Sequence, residues 1–322
     1  MDGGARPALR STCAYCGVGC GVSATVRDAG ARLVAIAGDA AHPANGGRLC
    51  SKGTALNETL GTEGRLLHPK IGGRDVFWGE ALDAVAAKIA QVRHDHGPDA
   101  IAFYVSGQLL TEDYYVANKL VKGFLGTANI DTNSRLCMAS TVVAQQRAFG
   151  EDVVPGCYED LELADLVVLV GSNTAWCHPV LFQRIQAAKA RHGTKVVVID
   201  PRRTATCAIA DLHLAIRPGT DAALFNGLLV HLAAQGALDA AFIARHTAGY
   251  HGALNAARGG DAVDAAAPDA LAAFCGVAAE DLRRFFDWFA RTPKTVTSWS
   301  QGVNQSSGGT DKVSAILNCH LA

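Results

Sequence analysis

Apolar and polar positions change their period several times along the chain, and each change predicts an element. Residues 22–37 alternate, with Val22, Ala24, Val26, Leu33 and Ala35 spaced as in a two-stranded hairpin turning at Asp28-Ala-Gly30. The period lengthens to that of a helix over residues 81–92, shortens to an apolar run over 101–105, and turns helical again over 111–125, where Thr111 precedes Glu112 and Asp113 as an N-cap would. Farther on, Asp165-Leu-Val-Val-Leu-Val170 reads as a buried parallel strand. Residues 179–192 predict a helix, 195–199 and 212–216 strands, 225–234 a buried helix, 295–300 a strand and 311–321 a last helix. Residues 234–280, rich in Ala, Gly and Asp, predict surface helices and loops without function.

Strand and helix alternate after residue 73, the order of a doubly wound, Rossmann-like α/β fold. Ahead of that, the stretch 62–73, with its glycines and Pro69, marks a boundary, so two domains are expected, residues 1–62 and 63–322. A length of 322 residues suffices for both.

Lys plus Arg number 29 against 30 Asp plus Glu, a net charge of −1, which gives no electrostatic reason to expect nucleic acid or an anionic membrane as partner. Although 49% of residues are hydrophobic, no uninterrupted apolar run approaches the roughly 18 that span a bilayer, and a soluble chain is expected. Residues 1–10 contain neither an apolar core nor paired arginines, so the expected location is cytoplasmic. In that compartment the ten cysteines should be reduced thiols.

Four of them form a pattern. Cys13, Cys16 and Cys20 stand in a C-x2-C-x3-C run, and Cys50 follows at a distance. Thiolates so spaced hold either tetrahedral zinc or a cubane iron-sulfur cluster. Structural zinc commonly takes one C-x2-C pair from each side, whereas three ligands within eight residues plus a distant fourth suit a 4Fe-4S cube. Gly17, Gly19 and Gly21, threaded through the run, let backbone N–H groups approach the sulfurs. The other six, Cys137, Cys157, Cys177, Cys207, Cys275 and Cys319, are expected mostly as small buried residues.

Cys13-Ala-Tyr-Cys16-Gly-Val-Gly-Cys20, closed by Gly47-Arg-Leu-Cys50-Ser-Lys52-Gly53, resembles the amino-terminal cluster domain of the molybdopterin-guanine-dinucleotide oxidoreductases, and among them the catalytic subunit of assimilatory nitrate reductases. The resemblance runs from about residue 11 to the end. It implies a 4Fe-4S cluster on Cys13, Cys16, Cys20 and Cys50, and a molybdenum bis(molybdopterin guanine dinucleotide) centre. Lys52, a surface lysine on spacing alone, would lie between cluster and pterin. Gln108, in a turn between strand and helix, would contact the cofactor. Asn133-Ser-Arg-Leu-Cys137 resembles the segment that supplies the protein ligand to molybdenum, making Cys137 that ligand and Asn133 a pterin contact. By itself a cysteine at a helix mouth is unremarkable, though such a position favours the thiolate.

Gly171-Ser172-Asn173 and the residues up to Pro179 resemble the loop that takes one guanine dinucleotide, and Asp200, Gly219 and Asp221 follow the next two strands. By that match Asp200 and Asp221 would contact ribose and guanine. His178 and Arg203 alone read as a helix start and a solvated charge, and His94-x-His96 as a solvated helix end. Gln301-Gly-Val-Asn-Gln305 and the residues up to Thr310 form a polar glycine loop that resembles the one around the pterin and substrate channel, with Gln301 in place of the usual methionine. No G-x-G-x-x-G or Walker motif supports NAD or ATP.

The resemblance implies reduction of nitrate to nitrite, electrons arriving through the cluster from a donor protein or reductase subunit. The rivals are a formate dehydrogenase of the same family and a non-catalytic cluster protein. Met138 follows Cys137 where formate dehydrogenases typically place a histidine, and a thioether exchanges no proton. Because relatives of this kind continue for several hundred residues, the chain is expected to be an amino-terminal, C-terminally truncated fragment.

Overall fold

The computed structural model describes residues 8–28, 33–259 and 263–322. They divide into two compact units, Met1–Arg135 and Leu136–Ala322.

The first unit opens with a three-stranded antiparallel sheet of β1 (Leu9–Thr12), β2 (Gly21–Asp28) and β3 (Leu33–Gly38), in that order. β2 and β3 are the expected hairpin, and its turn at Ala29 and Gly30 lies outside the described residues. β1 was not foreseen, because Leu9-Arg-Ser-Thr12 lacks apolar alternation and all four residues are exposed. The short helix α1 (Ser51–Thr54) begins directly after Cys50. A hairpin of β4 (Lys70–Ile71) and β5 (Arg74–Asp75) leads to α2 (Trp78–His96), longer at both ends than the periodicity implied and stopped by Gly97 at φ 82°.

β6 (Phe103–Val105) pairs in parallel with β7 (Ile130–Thr132), and between them run α3 (Thr111–Asn118) and a π-helical stretch, Lys119–Leu125. The N-cap of α3 is Leu110, not Thr111: Asp113 Oδ2 accepts from the Leu110 N–H at 3.2 Å, and Thr111 is the first helical residue. The carboxylate reaches back over the first turn, so the cap comes from within the helix.

The short helix α4 (Ser134–Cys137) crosses the boundary into the second unit, where α5 (Ala139–Phe149) and α6 (Asp160–Leu163) precede an alternating series. β8 (Leu166–Val170), α7 (Thr174–Cys177), α8 (Pro179–His192), β9 (Lys195–Ile199) and β10 (Leu212–Leu214) follow in turn. Next come α9 (Asp221–Gln235), α10 (Ala240–His246), α11 (Tyr250–Arg258), α12 (Pro268–Cys275) and α13 (Ala279–Arg291). β11 (Thr295–Trp299), α14 (Gln301–Asn304) and α15 (Gly309–Leu321) complete the unit. Its sheet is parallel throughout, in the order β10-β9-β8-β11.

Both faces of the sheet are covered, which is why β8 and β9 are apolar without alternation. Leu166, Val168, Val170, Val197 and Ile199 pack into the larger core with Leu224, Phe225, Phe285 and Ile316. Val167, Leu169, Val196 and Val198 face the other way, toward Leu161 and Ile185. This is the expected doubly wound arrangement. α13 shows how sequence builds the larger core: Leu282, Phe285, Phe286 and Phe289 are buried at helical spacing while Glu280, Asp281, Arg283 and Arg284 form ion pairs on the outer side. Each such buried ring contributes roughly 1.5–3 kcal/mol.

Residues 234–280 are not merely surface structure. Leu254, Ala257, Ala265, Leu271, Ala272 and Cys275 belong to the larger core, where small side chains let α11 and α12 lie close to α9. No single described helix is long and apolar enough to cross a membrane.

Candidate functional site

In the first unit the cysteine loop is folded by its own backbone and by one buried side chain. Cys13 N–H donates to the Cys20 carbonyl at 2.8 Å, and Gly19 N–H to that of Cys16 at 3.2 Å, which doubles the loop back on itself. Asn45, 1% exposed, brings Cys50 round. Its Oδ1 accepts from Gly21 N–H at 2.8 Å, and its Nδ2 donates to the Gly21 carbonyl at 3.1 Å and the Arg48 carbonyl at 2.8 Å. The residue after Cys20 is thereby clamped to the residue two before Cys50.

Cys20 shows what this proximity does. Burial, with the sulfurs of Cys16, Cys13 and Cys50 adding to it, pushes its pKa up to about 11. Four sulfurs in one neighbourhood ionise together only with cations among them, and iron supplies those. A tetrahedral zinc ion, bonded to each sulfur at about 2.3 Å, needs thiolates about 3.8 Å apart. A cubane spreads its ligands over four irons and has no need of such closeness.

Gly17 lies against the loop after β6, where a Cβ would meet the Leu109 carbonyl oxygen at 2.8 Å. The structure therefore brings the cluster loop beside Gln108, whose N–H donates to Ser106 Oγ at 3.0 Å and whose side chain is exposed. Asn133, just beyond β7, accepts from Gly107 N–H through Oδ1, so the loops after the two parallel strands are tied together. Lys52 is exposed on α1.

In the second unit the sheet has its switch point between β8 and β11, the pair whose following chains depart on different sides. The end of β8 is held from both neighbours: Gly171 N–H donates to Ile199 O at 2.8 Å, Ser300 N–H to Val170 O at 3.2 Å, and Gly302 N–H to Gly171 O at 3.0 Å. Gly171 has φ 55°, and a Cβ there would meet Gly302 Cα at 2.8 Å. Ser172 is buried, sharing a 2.9 Å hydrogen bond with Thr174. Asn173 Oδ1 accepts from Thr206 Oγ1 at 3.1 Å, fixing the loop that precedes α7.

Asp200, after β9, is buried and accepts from Arg202 N–H at 2.8 Å. Gly219, with φ 92°, is exposed before Asp221. Asp221 is turned inward, its Oδ2 2.6 Å from Lys312 Nζ on α15, a pairing that no motif around Lys312 announces in the sequence.

Cys137 is half-buried and closes α4, one residue ahead of Met138, the N-cap of α5. It therefore sits just before a helix, not in its first turn. Gln301 Nε2 lies 2.9 Å from its sulfur and Gln305 Nε2 3.9 Å. The stretch expected as a loop, 301–310, begins with α14, and that turn brings both amides to one point. Of the remaining cysteines, Cys207, Cys275 and Cys319 are buried as expected, but Cys157 and Cys177 are exposed.

A cysteine loop suited to iron, joined to an α/β sheet whose strand ends converge on a switch point, defines an iron-sulfur protein of the cofactor-binding α/β class. The chain belongs to the molybdopterin oxidoreductase family: the family's sequence model matches residues 65–322, and that of the molybdopterin oxidoreductase Fe4S4 domain matches residues 8–60. A molybdopterin cofactor and a 4Fe-4S cluster go with those two matches. Nitrate reductases of Klebsiella oxytoca and Shewanella frigidimarina are each 53% identical, over 97% and 98% of this chain but 35% and 34% of their own lengths. The chain thus spans about a third of these relatives. More distant relatives include a periplasmic nitrate reductase of Desulfovibrio desulfuricans, 39% identical over 97% of this chain and 42% of its own. An F420-dependent formate dehydrogenase subunit alpha of Methanocaldococcus jannaschii is 32% identical over 96% of this chain and 45% of its own. Acetylene hydratase from Pelobacter acetylenicus shares the fold, with TM-score 0.76 and 22% identity over 97% of this chain and 42% of that one.

Proposed function

We propose that this chain carries the cluster and the first cofactor-holding portion of a molybdenum nitrate reductase acting in nitrate assimilation in the cytoplasm, with residues 1–62 as cluster domain and 63–322 as molybdopterin region. The observation that carries the reading is the 53% identity to two nitrate reductases across nearly the whole chain. When bound, the cluster supplies one-electron transfer and the molybdenum pterin two-electron oxygen-atom chemistry.

Within that reading, Cys13, Cys16, Cys20 and Cys50 ligate the cluster and Cys137 ligates molybdenum. Lys52 lies between cluster and pterin, Gln108 contacts the cofactor, and Asn133 contacts the pterin. Gly171, Ser172, Asn173, Asp200, Gly219 and Asp221 line the strand ends for one guanine dinucleotide of a bis(molybdopterin guanine dinucleotide) cofactor. Asp200 is the better placed of the two carboxylates, since Asp221 already pairs with Lys312. Nitrate is the substrate and a donor protein or reductase subunit the source of electrons. Met138 beside Cys137 supports nitrate over formate, because no titratable side chain stands there to take the formate proton.

The test is metal analysis of the anaerobically purified protein together with viologen-linked turnover. About four iron and one molybdenum per chain, with nitrite formed from nitrate and no carbon dioxide from formate, is the expected result. Zinc in place of iron, or formate oxidation without nitrate reduction, would sink the reading.

A further inference from the structure

We propose that Gln301 and Gln305 tune the molybdenum centre by donating amide hydrogen bonds to Cys137 Sγ, with Gln301 aligned by a one-directional chain of donors that starts at Trp299. The inference rests on the reading of Cys137 as the molybdenum ligand and goes beyond it in assigning what controls that ligand.

The chain of contacts runs from the end of the switch-point strand to the sulfur. Trp299 closes β11, and its Nε1–H donates to Thr141 Oγ1 on α5 at 2.9 Å. An indole N–H only donates, so the direction is set at the first link. The Thr141 hydroxyl, having accepted, donates its own hydrogen bond to Asn304 Oδ1. With Oδ1 so engaged, the Asn304 Nδ2 is left facing Gln301 Oε1, 3.4 Å away. The Gln301 carbonyl is thereby occupied, and its Nε2–H2 points to Cys137 Sγ at 2.9 Å. Gln305 adds a longer contact at 3.9 Å from the next turn of chain. No amide along this route can flip without placing two donors or two acceptors face to face.

Such a chain acts on the metal through charge. Each link polarises the next, strengthening it by roughly 10–30%. A thiolate that accepts N–H bonds gives less electron density to its metal, which favours the reduced state and raises the reduction potential. Two amides on one sulfur would set the poise of the centre in the direction that eases its reduction by the cluster. Methionine at position 301 would fill nearly the same volume and donate nothing.

A purely structural brace between α14 and α5 would leave the potential unmoved, which makes the two roles separable. In the molybdenum-loaded protein, the midpoint potential of molybdenum is read by redox titration of its paramagnetic state, with metal content and the cluster potential measured on the same samples. Gln301→Met should lower the molybdenum potential by about tenfold in the one-electron equilibrium, about 59 mV, and leave the cluster potential in place. Thr141→Val, which touches neither sulfur nor Gln301, should shift it the same way by less, and so should Gln305→Leu. Full molybdenum content with an unmoved potential in Gln301→Met overturns the proposal. Should Gln301→Met lose molybdenum, unmoved potentials in both Thr141→Val and Gln305→Leu overturn it instead. An unmodified protein that binds iron but no molybdenum would remove the reading of Cys137 and the proposal together, a result distinct from either.

Discussion

Lys312 Nζ lies 2.6 Å from Asp221 Oδ2, with both side chains only 8% exposed. The pair joins the first residue of α9 to the first turn of α15, the helices that follow the two outer strands of the sheet, β10 and β11. A charge so far from water persists only because its partner is there.

Removing one partner should therefore cost far more than a surface ion pair. Lys312→Met leaves the Asp221 carboxylate buried and unpaired, and is expected to destabilise the second unit by about 3–5 kcal/mol. Combining it with Asp221→Leu should recover much of the loss. Urea unfolding followed by circular dichroism measures both, and equal midpoints for Lys312→Met and the unmodified chain would show that the pair carries no stability.

Asn45 makes three hydrogen bonds from a buried site, and no other residue offers that geometry between Gly21 and Arg48 among the contacts described. Asn45→Ala strands the Gly21 N–H and the Arg48 carbonyl, at about 1–3 kcal/mol for each buried group left unpaired, while the Gly21 carbonyl keeps the Asp39 N–H at 2.9 Å. The loop bearing Cys50 is then free to drift from Cys20. Iron per chain after anaerobic purification should fall well below that of the unmodified protein, and full iron retention would contradict the clamp.

Acid sensitivity should show in His231. It lies on α9 against the Phe286 ring, centroids 5.4 Å apart, and burial holds its pKa below the ordinary 6.5 although Asp287 Oδ1, 3.5 Å from Nε2, opposes the shift. Arg291 adds to the lowering. Since the unfolded chain binds this proton more readily, the stability is fully present above about pH 6.5 and is lost as pH falls through the folded pKa. Urea midpoints at pH 7.5 and pH 5 should differ by less in His231→Phe than in the unmodified protein. An identical difference would remove His231 as a source of the effect.

The cysteines should separate by reactivity. Cys157 and Cys177 are exposed, while burial raises the thiols of Cys275 and Cys319 well above their ordinary range. Brief treatment with a maleimide under native conditions should label the first two and spare the others, as read by peptide mass spectrometry. Labelling of Cys319 before unfolding would contradict the packing of α15 against Phe225, whose carbonyl accepts from that thiol at 3.2 Å.

How much of this could be read from the chain alone depended on how local the cause was. Pro179–His192 and Lys195–Ile199 matched their expected bounds, because proline opens that helix, Gly193 closes it, and the strand is apolar on both faces. That Cys13, Cys16, Cys20 and Cys50 share one neighbourhood was legible from their spacing. Asn45 and Lys312 were not, since each is an ordinary polar residue whose partners lie 24 and 91 positions away or are supplied by backbone. Residues 234–280 misled for a related reason: alanine is compatible with surface and core alike, and only the close approach of α11 and α12 to α9 decides between them. The donor chain onto Cys137 spans 168 positions from Cys137 to Gln305, a separation that no periodicity registers.

Gly171 and Gly302 face each other so closely that a Cβ on either would meet the other's Cα, at 2.8 Å and 2.7 Å. Neither clash is with a side chain, so no substitution elsewhere can relieve it. For anyone building chimaeras of this protein with its relatives, a crossover between the two positions is tolerated only when both parents bring glycine. The two loops thus travel as a single unit of inheritance, although 130 residues of chain separate them.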